Sequence, residues 1–202
     1  MSRIAEIERT TKETSVTIKL DLDGIGNIKI DYPIGFMSHM LTILAGHGFF
    51  DLEIKAKGDL VVDQHHLVED TGIVLGQCFS KALGEKRGIK RVGSCYFPMD
   101  ETLARAVVDI CGRTHLVFEA PDSLLSQDFS IAPYFQGDTI YDFWQGFANN
   151  AGLTMHLDII RGRSPHHMIE AIFKAAGRAL NEACKIDPVF SNAIPSTKGV
   201  LA

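Results

Sequence analysis

Histidine and glutamate recur in this sequence at a spacing that could hold metal ions. His65-His66-x-x-Glu69 and His166-His167-x-x-Glu170 are two copies of one pattern, 101 residues apart in a chain of 202. On an α-helix of 3.6 residues per turn, each glutamate shares a face with either imidazole of its pair. Adjacent imidazoles diverge by about 100°, too far to serve one ion comfortably, so each pair points to two different ions. His39 lies 26 residues before the first pair, and Asp142 lies 24 residues before the second. Both are suitable further ligands. A dinuclear arrangement follows, or two sites completed by the other half or by another subunit. Imidazole and carboxylate ligands without cysteine suit Zn, Mn, Fe or Ni, and the residue types do not choose among them. His47, His115 and His156 lack a counterpart in the repeat and read as structural.

A second group of residues suits an anion. Lys86, Arg87, Lys90 and Arg91 cluster after the first His-His-x-x-Glu segment, and Arg113, Lys174, Arg178 and Lys198 are spread beyond it. The run PSTKG at 195–199 offers hydroxyls, a lysine and backbone N–H groups beside a glycine, which together can hold a phosphate. It is not a Walker loop, because GxxxxGK is absent.

The whole-chain properties narrow the field. Hydrophobic residues make up 46% and charged residues 22%, as in ordinary globular chains. A net charge of -5 gives no reason to propose nucleic acid or an anionic membrane as partner. No run approaches the ~20 apolar residues of a membrane helix, and the charged opening MSRIAEIERTTKE is no secretory signal. Cys78, Cys95, Cys111 and Cys184 are scattered and read as buried free thiols in a reducing cytoplasm.

The elements that must position these groups follow from periodicity. SVTIKLDL (15–22) alternates as a strand, the Asp-Gly-Ile-Gly-Asn run at 23–27 turns, and Ile28 and Ile30 resume, which predicts a hairpin. A helix over 36–48, a strand over 50–58 and a helix over 65–83 come next, the last despite Gly72 and Gly76, each costing about 1 kcal/mol against Ala. The second half predicts strands at 92–97, 102–110 and 115–120, then a polar segment with Pro121, Pro133 and Gly137. A helix near 139–151, a strand at 154–160 and a helix at 166–185 complete it, and PSTKGVLA ends the chain as a loop. The class is α+β, with duplicated β-β-α-β-α halves whose sheets pack against helices. The halves, about 1–90 and 91–202, form a single domain over 1–202, since each is too small to bury a good core alone.

Taken in order, these segments resemble imidazoleglycerol-phosphate dehydratase. The matching stretches are GFMSHML (35–41), GHGFFDLEI (46–54), GDLVVDQHHLVEDTGIVLGQ (58–77), ALGEKRGIKRVG (82–93), PMDETL (98–103), GRTHL (112–116), SPHHMIEAIFKAAGRAL (164–180) and PSTKGVL (195–201). The resemblance covers essentially the whole chain. It implies a ribosomal protein S5 domain 2-like fold and a cytoplasmic lyase of histidine biosynthesis. That lyase dehydrates D-erythro-imidazoleglycerol phosphate to imidazole acetol phosphate. It also implies two Mn2+ ions per active site, other divalent metals being possible, and a 24-subunit shell with active sites between subunits. The metal ligands would fall on His39, His65, His66, Glu69, Asp142, His166, His167 and Glu170. Substrate and phosphate contacts would fall on Glu13, Arg91, Arg113, Lys174, Ser196 and Lys198. The family often has His or Glu where Asp142 stands, and Ile43 replaces a Gln that could reach the phosphate, so that contact is not carried over.

The chemistry fits these residue types. The proton to be removed has no neighbouring carbonyl, so the substrate's own imidazole must take up the electrons. A dinuclear site at its nitrogens would stabilise an imidazolate and then a diazafulvene-like intermediate. Glu170 or Glu13 could be the general base and Lys174 a donor to a substrate oxygen. Two other readings fit the ligand set: a metal-dependent phosphatase, and a non-catalytic metal-binding shell.

Overall fold

The computed structural model describes residues 3–125, 130–132, 135–189 and 193–201. Pro133 of the polar segment lies outside them. The first half runs β1 (Ile4–Thr10), β2 (Thr14–Asp21), β3 (Ile28–Asp31), α1 (Gly35–Gly48), β4 (Asp51–Gly58) and α2 (His65–Leu83). The second runs β5 (Val92–Met99), β6 (Thr102–Asp109) and β7 (His115–Glu119), then a short 3-10 turn at Asp122–Leu125. It continues with the small strands β8 (Ser130–Ala132) and β9 (Phe135–Gln136), α3 (Thr139–Ala151), β10 (Thr154–Arg161) and α4 (Pro165–Cys184). Both halves carry the expected β-β-α-β-α series with one added strand in the sheet, and the second half also has the small pair β8–β9. Their sheets have the same order, β1-β2-β4-β3 and β5-β6-β10-β7, each with a parallel pair at the end, β3 with β4 and β7 with β10.

One expectation is corrected here, and one strand was not foreseen. The residues at 15–30 do not form a hairpin, because β4 lies between β2 and β3. Asp51, at the start of β4, accepts the backbone N–H groups of Ile25, Gly26 and Asn27 at 2.8–3.0 Å. That clamp carries the 23–27 turn across β4 to its far edge. The true hairpin joins β2 to β1, a strand hidden because its inward positions are Ala5, Ile7 and Arg9 rather than a run of large apolar residues.

The helices lie between the sheets. α2 packs on β1 and β2, α4 on β5 and β6, and the helices meet across the halves, α1 with α4 and α2 with α3. A helix covered on two sides must be apolar over most of its circumference, and α4 buries thirteen of its residues, many of them alanine. Small residues also set the α2–α3 crossing. A Cβ on Gly72 would lie 2.2 Å from the Phe143 carbonyl oxygen, and one on Gly76 would lie 2.5 Å from that of Phe147. Close helix approach thus offsets what these glycines cost in helix propensity. Gly72→Ala should therefore lower stability by about 2 kcal/mol or more, although Ala gains up to ~1 kcal/mol of propensity. A denaturation midpoint at or above wild type would show that the helices can separate without penalty.

The cysteines are free, with Cys78, Cys111 and Cys184 buried and Cys95 only partly so. Among the described residues no helix is long and apolar enough to cross a membrane.

Candidate active site

Both His-His pairs occupy the first turn of their helices. Ser164 caps α4 by accepting the His167 N–H, with Pro165 at the first helical position. At α2 the N-cap Gln64 makes no such bond, and Asp63 just before it accepts the His65 N–H at 2.7 Å. Side chains here project past the helix end, and the adjacent imidazoles diverge as expected, their rings nearly perpendicular at 86° and 87°.

The first imidazole of each pair faces a carboxylate of its own helix and a residue of the other half. His166 Nε2 lies 3.3 Å from Glu170 Oε2, and His39 Nε2, brought by α1, lies 3.5 Å from the same oxygen. One ligand atom from each of His39, His166 and Glu170 lies within 4.8 Å of the other two. Donors sharing one ion at about 2.1 Å sit roughly 3–4 Å apart, so this set fits a divalent cation. The mirrored set is His65, Glu69 and Asp142. His65 Nε2 faces Glu69 at 3.9 Å and its Nδ1 faces Asp142, on α3, at 3.6 Å. Spacing put His39 ahead of the first pair and Asp142 ahead of the second. The helix packing exchanges them.

The two sets differ in charge. Lys174 donates to Glu170 Oε1 at 2.8 Å, leaving Oε2 for the histidines. Burial pushes the Glu170 carboxyl up, but the hydrogen bond and charge of Lys174, with His39 and His166, outweigh it and hold it below the usual range. Four residues after Glu69 stands Ile73, so the second set has no such lysine. Burial raises Asp142, with Glu69 adding repulsion against the attraction of His65. A cation there would relieve that repulsion. Imidazole and carboxylate donors free of thiolate suit Mn2+ and the other divalent metals. His39, His166 and Glu170 converge on one point, whereas His65 faces Glu69 and Asp142 through its two different ring nitrogens, so in this chain alone those three do not converge.

The second imidazole of each pair turns to a different carboxylate. His66 Nδ1 lies 3.1 Å from Asp59, and His167 Nδ1 lies 3.0 Å from Glu101. These hydrogen bonds raise both histidines. His167 and the N–H groups of Ser164 and Arg163 hold Glu101 down to about 2. Sequence reasoning assigned no role to Asp59 or Glu101. The PMDETL run was visible, but nothing in it tied Glu101 to a histidine 66 residues away.

Glu13 stands exposed in the β1–β2 turn, where its charge reaches His66. That turn is anchored to α2 by Asp70, which accepts from Thr14 and, at 2.9 Å, from Arg9. Ile43 is buried in the core, so it faces packing rather than the site.

The basic residues gather elsewhere. Arg91 pairs with Asp109 at 2.6 Å, which raises its pKa, and donates to the Pro195 carbonyl at 3.0 Å, bringing the 195–199 segment beside it. Ser196 accepts the Lys198 N–H and its carbonyl takes the Gly199 N–H. That turn therefore spends several of its polar groups internally and offers chiefly the exposed Lys198 side chain. Arg113 follows β6, on the Asp109 side of the sheet. Glu101 and the start of α4 are at the opposite end of β6, seven steps of about 3.3 Å away, roughly 23 Å. Asp142 precedes Ala151 by nine residues of α3, about 14 Å, and β10 then begins opposite Asp109. Among the described residues no hydrogen bond or ion pair joins Arg91, Ser196 or Lys198 to either histidine set. Lys174 alone of the substrate group belongs to one of them.

Known proteins are similar to this chain along nearly its whole length. The imidazoleglycerol-phosphate dehydratase family model matches residues 33–180. The chain is 48% identical to the imidazoleglycerol-phosphate dehydratase of Herminiimonas arsenicoxydans over 99% of this chain and 98% of that one. The enzyme of the same name from Hahella chejuensis is also 48% identical, over 98% of each chain. The imidazoleglycerol-phosphate dehydratase structure from Staphylococcus aureus superposes with a TM-score of 0.79 at 40% identity, covering 91% of this chain and 99% of that one. The Pyrococcus furiosus structure, in complex with (S)-C348, gives 0.79 at 31% identity, covering 96% and 100%. The chain belongs to the imidazoleglycerol-phosphate dehydratase family.

Proposed function

We propose that this lyase dehydrates D-erythro-imidazoleglycerol phosphate at sites completed only when copies of the chain assemble. The observation that carries the reading is the separation just described: two histidine–carboxylate sets at one end of the fold and the basic group at the other. A substrate of one ring, three carbons and a phosphate cannot bridge them within a chain. A neighbouring copy that presents its Arg91, Arg113, Ser196 and Lys198 to these sets would supply the phosphate clamp. His66 and His167 would complete ligand sets on other copies. A closed shell of 24 chains satisfies every such contact.

His39, His166 and Glu170 would hold one ion and His65, Glu69 and Asp142 another, with His66 and His167 as ligands to ions on other copies. Bound there, two Mn2+ ions supply Lewis-acid polarisation of the imidazole nitrogens. The protein's own groups do the rest. Both Glu170 oxygens are engaged, one by Lys174 and one by the histidines, so the exposed Glu13 is the better placed base for the carbon-bound proton. Lys174 keeps Glu170 ionised and sits 5.5 Å above the Phe97 ring, a half-dry position from which it can also donate to a substrate oxygen. The hydroxyl beside the ring leaves as water, and the enol formed relaxes to the ketone. The two halves work as one unit, because each ligand set draws on both. Free thiols fit a cytoplasmic setting.

Product analysis tests this. Turnover should give a ketone phosphate with no free phosphate. Released phosphate would indicate a metal-dependent phosphatase, and no turnover would leave only a metal-binding shell. Chelation should abolish activity and disperse an assembly near 24 copies of the 22.2 kDa chain, with Mn2+ restoring both. A monomer by light scattering in the presence of Mn2+ would remove the shared site.

A further inference from the structure

We infer that Glu101 and Asp59 are positioning residues that fix the tautomer of His167 and His66 by holding Nδ1, leaving Nε2 of each unprotonated as the ligand atom. The inference rests on the reading that these histidines serve ions bound on other copies. A carboxylate only accepts hydrogen bonds, so a neutral imidazole beside it must carry its proton on Nδ1. The lone pair then lies on Nε2, the ring nitrogen not held by the carboxylate.

The two carboxylates reach the same nitrogen from places that the repeat does not relate. Asp59 follows β4, whereas Glu101 lies in the turn between β5 and β6, whose counterpart in the first half is the β1–β2 turn. The connection from β4 to α2 spans 59–64, whereas that from β10 to α4 spans only 162–164. The shorter connection leaves no room for an equivalent of Asp59. A different turn supplies the acceptor instead, so what both halves preserve is the occupied Nδ1 rather than a shared loop.

Glu101 makes a decisive variant possible. Its Oε1 accepts from the Ser164 N–H at 2.8 Å and the Arg163 N–H at 3.3 Å, while Oε2 faces His167. In Glu101→Gln the amide oxygen must keep the backbone donors, which turns the NH2 group toward Nδ1. That forces the proton onto Nε2 and blocks it as a ligand. The fold-holding bonds survive and the tautomer inverts. Among the described residues the Asp59 side chain bonds to His66 alone, while its backbone carbonyl takes the Val62 N–H, so Asp59→Ala removes the acceptor and keeps the turn.

The experiment measures equilibrium Mn2+ binding and the His167 ring nitrogen shifts of metal-free protein at alkaline pH, for wild type, Glu101→Gln, Asp59→Ala and His167→Ala. Glu101→Gln should melt close to wild type without metal, show the Nε2–H tautomer, and bind Mn2+ roughly 10–100-fold more weakly. Asp59→Ala should weaken binding in the same range. Wild-type tautomer and Mn2+ affinity in Glu101→Gln would overturn the inference, and if that variant fails to fold, wild-type affinity in Asp59→Ala would do so. If His167→Ala itself binds Mn2+ as wild type does, the reading of His167 as a ligand fails first, independently of what positions the ring.

Discussion

His166→Ala should lose close to all dehydratase activity, a fall in kcat on the order of 10³ or more, because several kcal/mol of Lewis-acid stabilisation depend on its set. His39 and Glu170 would remain, and Lys174 already occupies one Glu170 oxygen. Two donors and a neighbouring ammonium make a poor cation site. The fold should survive, since the imidazole is 45% exposed and its main apolar neighbour is the edge of Phe36. Metal analysis should show the loss of bound ion with little change in the metal-free melting temperature. His156→Ala is the control, an exposed histidine on β10 that belongs to neither set. Retention of both ions and of turnover in His166→Ala would exclude the His39–His166–Glu170 set from the site.

A mixture of two inactive variants should regain activity. Lys198→Ala leaves both ligand sets intact and should act mainly by raising KM for the phosphorylated substrate. Combining it with Arg91→Ala should bring turnover close to zero at ordinary substrate concentration. When that double variant is dissociated, mixed with His166→Ala and reassembled with Mn2+, some sites receive intact ligands from one chain and an intact clamp from another. Random assembly of equal parts gives about one quarter of sites in that state, so activity should recover to about that fraction of wild type. A site contained within one chain predicts no recovery. This experiment separates the two arrangements more sharply than either variant alone.

Much of this was legible in the sequence, and the exceptions have physical causes. Helix α2 was readable end to end, although Gly72 and Gly76 argued against it, because its apolar periodicity outweighs two glycines whose purpose is the α3 crossing. Strand β1 was obscured by Ala5 and Arg9 on its inner face, and the 23–27 turn looked like a hairpin because the clamp that diverts it comes from Asp51, 24 residues on. The candidate ligands were legible because His-His-x-x-Glu appears twice, with His39 and Asp142 at matching distances ahead of the copies. Their grouping was not, since His39 joins His166 through helix packing between halves, which no spacing along the chain encodes. Asp59 and Glu101 were invisible for the related reason that their partners are set by tertiary structure and their positions do not repeat.

The exchange of ligands between halves has a historical consequence. An ancestral chain equal to one half would have held neither ligand set by itself, because the α1 or α3 ligand belongs beside the other half's histidine and glutamate. Only a pair of such chains could have worked, with two identical sites about a twofold axis. Joining such copies end to end would convert that dimer contact into an internal one and release each site from the obligation to match the other. The present differences, Asp142 opposite His39 and Ile73 opposite Lys174, are what that freedom allows.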